Sequence, residues 1–207
     1  MICTCLSKCD FETCLQALAA CEMAEIRLDT IPCNTAQTVQ LFGQAKIPLI
    51  ATFRPGGVSD AARFEALQTA INAGAAYVDI ETDAPYLAAL MQAARKTKCK
   101  IILSYHDFER TPDNGELQRI VAQMHALQPD FLKIATCAHS IADAERILSL
   151  YATEKNLLAF CMGKTGQYSR IKSLSLGAPF IYAAPDNGAA TADGQLTVSE
   201  LRMRNQE

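Results

Sequence analysis

A compact, single-domain (β/α)8 barrel is the fold this chain predicts, and three observations predict it. Apolar runs of strand length recur eight times, amphipathic helical stretches separate them from end to end, and polar residues gather at the C-terminal ends of the runs. The 207 residues, half of them apolar, suit one domain spanning residues 1–207 with a large core. For eight strand-helix units that length is short, so the loops must be lean.

The runs are Ile2–Cys5, Ala24–Leu28, Leu49–Phe53, Tyr77–Glu81, Ile101–Tyr105, Phe131–Ala135, Leu157–Cys161 and Phe180–Ala183. The helices between them carry recognisable starts and stops. Ser59-Asp60 precedes Ala61–Ala73, with Gly74 as its C-terminal glycine; Asp83 and Pro85 open a helix through Lys96; Ser140 opens one through Tyr151. Eight such units favour a closed barrel over an open doubly wound sheet. No G-x-G-x-x-G or P-loop follows any strand, which argues against a dinucleotide or nucleoside triphosphate site.

Net charge is −3, with acids and bases mixed along the chain, so no basic stripe points to nucleic acid or an anionic membrane. The expected partner is a small molecule. The first residues lack a basic segment followed by a continuous apolar one, and no stretch approaches the ~18 apolar residues of a membrane helix. The expected location is the cytoplasm. Nine cysteines at irregular spacing, an odd number, argue against a disulfide framework. Cys3, Cys5 and Cys9 lack the second close pair that a zinc site shows, which favours reduced cysteines acting as small hydrophobes.

The polar residues fall where catalytic groups stand in this fold, at C-terminal strand ends. Glu25, Arg27 and Asp29 share one face of the second run; Thr52 and Arg54 follow at the third; Asp79 and Glu81 alternate on the fourth. Ser104 and His106 end the fifth run, Lys133 lies inside the sixth, and the seventh leads into Met162-Gly163. Unpaired charges facing a barrel lumen would cost several kcal/mol each, so a polar pocket is the economical reading.

Lys133 sits in Phe131-Leu132-Lys133-Ile134-Ala135, where a desolvated amine would lose its proton more readily and attack carbonyls. The preceding run offers an imidazole as proton shuttle, expected to titrate near neutrality. Together they supply what imine chemistry on a ketone needs. Each residue has a blander alternative: an edge-strand lysine exposed to water, a hydrogen-bonded histidine, and, for Arg54 and Arg170, surface ion-pair partners. Arg27 between Glu25 and Asp29 reads as part of a buried ionic network. Asp107 alternates outward and reads as structural; His125 and His139 carry no chemical signal.

These residues resemble type I 3-dehydroquinate dehydratase. Glu25-x-Arg27-x-Asp29, Thr52-x-Arg54, Ser104-Tyr105-His106-Asp107-Phe108, Lys133-Ile134-Ala135, Met162-Gly163-x-x-Gly166-x-x-Ser169-Arg170 and Gly194-Gln195 stand in that family's order and spacing. The resemblance runs from the second strand to near the C-terminus. It implies a (β/α)8 barrel that converts 3-dehydroquinate to 3-dehydroshikimate in the shikimate pathway, without metal or organic cofactor, as a homodimer. By motif, Lys133 forms the imine and His106 is the general acid/base. Arg170 clamps the substrate carboxylate, a planar group that a guanidinium fork suits. Glu25, Arg27 and Arg54 hold hydroxyls, Met162 borders the pocket, and Gln195 belongs to the loop closing after strand eight. Thr191 stands where the family has serine, and Tyr182 where it has phenylalanine. Asp79, Glu81 and Ser104 are supporting groups.

Two departures qualify that assignment. Arg54-Pro55-Gly56-Gly57 is shorter than the family's segment and lacks the glutamate that contacts the catalytic histidine, which leaves Glu81 as the expected partner of His106. Ala184–Asp193 carries a small insertion, with aspartate where proline is usual before Gly-Gln, so loop closure is expected to differ. Two rival readings are a Schiff-base aldolase, for which Met162–Gly166 makes a poor phosphate cradle, and a non-catalytic metal or redox-sensing barrel built on the N-terminal cysteines.

Overall fold

The structure, a computed structural model, describes residues 1–188 and 190–204. Eight strands alternate with eight helices: β1 (Ile2–Leu6), α1 (Phe11–Leu18), β2 (Met23–Arg27), α2 (Thr35–Gly43), β3 (Leu49–Thr52), α3 (Asp60–Ala73), β4 (Tyr77–Glu81), α4 (Leu87–Arg95), β5 (Lys100–Asp107), α5 (Asn114–Ala126), β6 (Phe131–Cys137), α6 (Ile141–Ser149), β7 (Leu157–Met162), α7 (Gln167–Ser175), β8 (Ile181–Ala183) and α8 (Val198–Arg204). All ladders are parallel, in the order β7-β6-β5-β4-β3-β2-β1-β8. The barrel is nearly closed. Between the two ends of that order, Phe160 of β7 and Tyr182 of β8 meet with ring centroids 6.0 Å apart.

Strand alternation divides the apolar residues between two layers. Cys3, Cys5, Met23, Ile50, Ile102, Leu158 and Phe180 pack together in the barrel interior. Ile26, Ala51, Val78 and Ile101 face outward against Leu41, Leu67, Ile71 and Leu90 of the surrounding helices. Because both faces are covered, the strands read in sequence as continuous apolar runs rather than as alternating ones.

Helix ends follow the local chemistry. Ser59 accepts a hydrogen bond from the Ala62 amide at 3.3 Å and starts α3, while Gly74 ends it at φ +110, a conformation glycine adopts without Cβ strain. Ser140 and Asp143 form a reciprocal capping box at α6, which stops at Ser149 and passes into a 3-10 turn over Leu150–Ala152. The start expected for α4 is corrected: residues after Glu81 form turns, with the Ala84 amide bonded to the Glu81 carbonyl at 3.1 Å and Leu87 to Ala84 at 3.0 Å, so the helix opens at Leu87.

β5 and β6 each extend beyond their apolar runs, because their ladder continues in register from Ile102↔Phe131 to Asp107↔Thr136. Backbone pairing carries the polar residues of β5 along with it. His106 therefore lies within the strand, paired in register with Ala135.

Cysteine usage fits a reduced interior. Cys3, Cys5, Cys14, Cys99 and Cys161 are buried, the other four are half-buried, and all nine are free thiols. Cys3 and Cys5 point into the barrel whereas Cys9 packs outside it, and among the described residues no three Cys, His, Asp or Glu side chains gather as a metal-holding group.

Candidate active site

Parallel register brings the C-terminal ends of the strands to one level. Arg27 pairs with Thr52 and Thr52 with Asp79; Glu81 pairs with Ser104 and Ser104 with Lys133. Alternation then turns Glu25, Asp79, Ser104 and Lys133 inward.

Asp79 is the hub of this layer. Its carboxylate accepts from Arg54 Nη1 and Nη2 at 3.0 and 2.8 Å, from Ser104 Oγ at 2.6 Å and from Lys133 Nζ at 2.7 Å. Burial alone would raise the Asp79 carboxyl, but the charges of Arg54 and then Lys133 hold it well below the usual carboxylate range. Taking this anion away would remove the nearest counter-charge of two enclosed cations, at a cost of about 3–5 kcal/mol. Thus Lys133, only 5% exposed, is surrounded by more than apolar side chains. Glu25 Oε1 lies 3.9 Å from its Nζ and itself accepts from Thr52 Oγ1 at 2.9 Å, and the Tyr182 ring centroid is 4.4 Å away.

His106 lies within this electropositive surrounding. Burial, then the charges of Arg54 and Lys133, push its imidazole well below its ordinary value of 6.5, against the opposing pull of Asp79. That direction favours the neutral ring, the form in which an imidazole can accept a proton. A base works deprotonated, and its activity is lost only as pH falls through the folded-state value. The acid limb of kcat/KM against pH should therefore lie below 6.5, and a limb centred at or above 6.5 would contradict the assignment.

Glu81, the expected partner of His106, makes no direct hydrogen bond to it among the described residues. Glu81 Oε2 accepts from Arg63 Nη2 at 2.9 Å, and Oε1 lies 3.4 Å from Arg54 Nη1. Arg63 projects from α3, where Asp60 at 2.9 Å and the Tyr86 ring at 5.2 Å hold its guanidinium, and it reaches the carboxylate first. Arg27 forms a two-point fork with Asp29 at 2.9 and 2.6 Å, one of its two expected partners, while Glu25 accepts from Thr52 instead. Asp107 is structural, as its alternation suggested: Oδ1 accepts from the amides of Glu109 and Arg110, both at 2.9 Å.

Arg170 enters from α7 and is 2% exposed. Its guanidinium sits 4.4 Å above the Phe160 ring, and Nε and Nη2 have no hydrogen-bond partner among the described residues. Burial pushes its pKa down to about 10. A buried cation left without an anion costs several kcal/mol, so this arrangement favours an anionic ligand.

The loop after β8 closes the opposite wall. Gln195 Oε1 accepts from the Thr191 amide at 2.8 Å and from its hydroxyl at 3.0 Å, while Nε2 donates to Cys5 Sγ at 3.1 Å. The neighbouring Gly194 is at φ +73, and a Cβ there would lie 2.4 Å from the Gly163 carbonyl oxygen. Gly194→Ala should undock this loop. Left-handed strain of about 1–2 kcal/mol alone would raise KM by roughly tenfold. Unfolding temperature should barely change, which steady-state kinetics beside a thermal melt would check. Residue 189 of the expected insertion lies outside the described residues.

Together these groups enclose a cavity of about 300 Å³, open at the C-terminal end of the barrel. Glu25, Arg27, Arg54, Glu81, His106, Lys133, Met162, Arg170, Tyr182, Thr191 and Gln195 all border it; Asp79 and Ser104 lie beneath and hold the bordering groups. Sequence reasoning missed Cys5, Phe108 and Phe160. Cys5 was discoverable as an inward position of β1, and Phe108 as the residue two beyond His106 on the same side.

Comparison with known proteins shows the family and the fold. The chain is 38% identical over 185 residues to the 3-dehydroquinate dehydratase of Thermococcus onnurineus, covering 87% of this chain and 85% of that one. The solved 3-dehydroquinate dehydratase of Geobacillus kaustophilus superposes with a TM-score of 0.86 at 20% identity, covering 98% of this chain and 88% of that one. That of Enterococcus faecalis gives 0.82 at 26% identity, with coverages of 99% and 92%. The family described as type I 3-dehydroquinase matches residues 2–204, and the chain belongs to that family.

Proposed function

We propose that the chain dehydrates 3-dehydroquinate to 3-dehydroshikimate through an imine on Lys133, with His106 as general acid/base. The observation that carries this reading is the meeting in one cavity of a buried amine, an imidazole and a buried guanidinium whose Nε and Nη2 have no hydrogen-bond partner among the described residues. Arg170 takes the substrate carboxylate in a two-point fork, which fixes the ring. Glu25, Arg27 and Arg54 meet its hydroxyls, and Gln195 closes over them.

Lys133 passes a proton to His106 and adds to the ketone, and the imidazolium returns that proton to the carbinolamine hydroxyl. The carbinolamine then loses water, leaving a cationic imine that withdraws electrons from the neighbouring C–H. His106 removes that proton, the C–H electrons move into the imine, and they return to expel the β-hydroxyl, which the imidazolium protonates as it leaves. Hydrolysis of the imine restores the amine. Asp79 remains ionised throughout and keeps Lys133 and Arg54 in place, and Tyr182 presents its ring face to the cationic nitrogen.

The product is a conjugated enone, so ultraviolet absorbance should rise when 3-dehydroquinate is added. Absence of that rise with folded protein would remove the reading. As a biosynthetic enzyme of this kind, the chain would act in the cytoplasm on a small molecule, as a homodimer. No described helix is long and apolar enough to cross a membrane.

A further inference from the structure

His106 has no hydrogen bond from either ring nitrogen among the described residues, which leaves its orientation to be set by something else. Phe108 is the aromatic neighbour it does have. The two rings lie nearly parallel, 10° apart with centroids at 5.9 Å. Phe108 is also 71% exposed, more than any other large apolar side chain among the described residues. A phenylalanine left this open to water contributes little to the core, since full burial would be worth about 1.5–3 kcal/mol.

Its position is nevertheless fixed by the backbone around it. Asp107 Oδ1 holds the next two amides, His139 Nε2 contacts the Glu109 carbonyl at 2.6 Å, and Thr111 Oγ1 donates to the Cys137 carbonyl at 2.8 Å. An exposed side chain on a pinned turn is directed at one place. Here that place is the imidazole, and both rings border the cavity, as Pro55 also does.

We propose that Phe108 is a positioning residue for His106: its ring fixes the imidazole plane and keeps water from the imidazole's outer face. No carboxylate is then needed to orient the base. The charged groups facing His106 are Arg54 from the segment after β3, Lys133 from β6, Asp79 from β4 and Arg27 from β2, and none of them changes when Phe108 is replaced. A shift in His106 titration would therefore report the loss of cover.

The test pairs Phe108→Ala with Phe108→Tyr, which keeps a planar ring. For the alanine variant, kcat should fall about three- to tenfold, the scale of a lost aromatic stack, with KM and unfolding temperature unchanged. The acid limb of its pH profile should move up towards 6.5, and the tyrosine variant should restore both values. This kinetic arm rests on the proposed dehydratase reading. A second arm does not: proton resonances of the imidazole in ligand-free protein, assigned with His106→Asn, should titrate at higher pH in the alanine variant than in the parent. An unchanged titration overturns the proposal whatever the activity, and so does a rise in KM with kcat and the acid limb unmoved. A shifted titration in a protein that does not turn over 3-dehydroquinate would remove the functional reading and leave the positioning role standing.

Discussion

Lys133→Met is expected to reduce turnover of 3-dehydroquinate to the uncatalysed background, the largest effect of any single substitution in this site. Methionine keeps the length and apolar character of the side chain and removes the amine, so no imine can form. The fold should survive the change. Asp79 loses one of its two cations but keeps the two-point contact with Arg54 at 3.0 and 2.8 Å, and its hydrogen bond from Ser104. Circular dichroism and a thermal melt would show whether the variant is folded. Retained turnover in a folded variant would remove Lys133 from the chemistry.

His106→Ala should separate imine formation from proton transfer. The amine and the Arg170 guanidinium remain, so the ketone can still be captured, but loss of a general acid/base should slow turnover by roughly 10²–10⁴-fold. The covalent intermediate should accumulate and be visible by intact-protein mass spectrometry. The site offers no ready substitute, because Glu81 is taken by Arg63 and Asp79 is held ionised by Arg54 and Lys133. Full activity in this variant would exclude the imidazole.

Much of this architecture is legible in the sequence because the signals are local. The strands are marked by apolar runs bounded by capping and turn residues, as at Ser59 and Gly74 of α3. Lys133 and His106 stand out because a polar residue in an apolar run must be paired or used. The errors arise where the outcome depends on partners distant in sequence. The length of β5 is set by its register with β6, 29 residues away at the Ile102↔Phe131 pair, and the apolar pattern of β5 stops before the ladder does.

The same reason separates the two carboxylates of β4. Asp79 and Glu81 look equivalent in sequence, two acids alternating on β4, yet Asp79 receives Lys133 from 54 residues away and Glu81 receives Arg63 from 18. Which acid meets which base is decided by the depth of each along the barrel. Cys5 was read as a small hydrophobe, which its burial bears out, but its contact with Gln195 spans 190 residues and exists only because β8 returns beside β1.

The central claim is that Lys133 forms a covalent imine with the substrate ketone. The most direct measurement is reduction with sodium borohydride in the presence of 3-dehydroquinate, followed by peptide mapping. The account expects irreversible inactivation and one ligand-sized mass on the peptide carrying Lys133. A label on any other lysine, or no adduct under conditions of turnover, would contradict it.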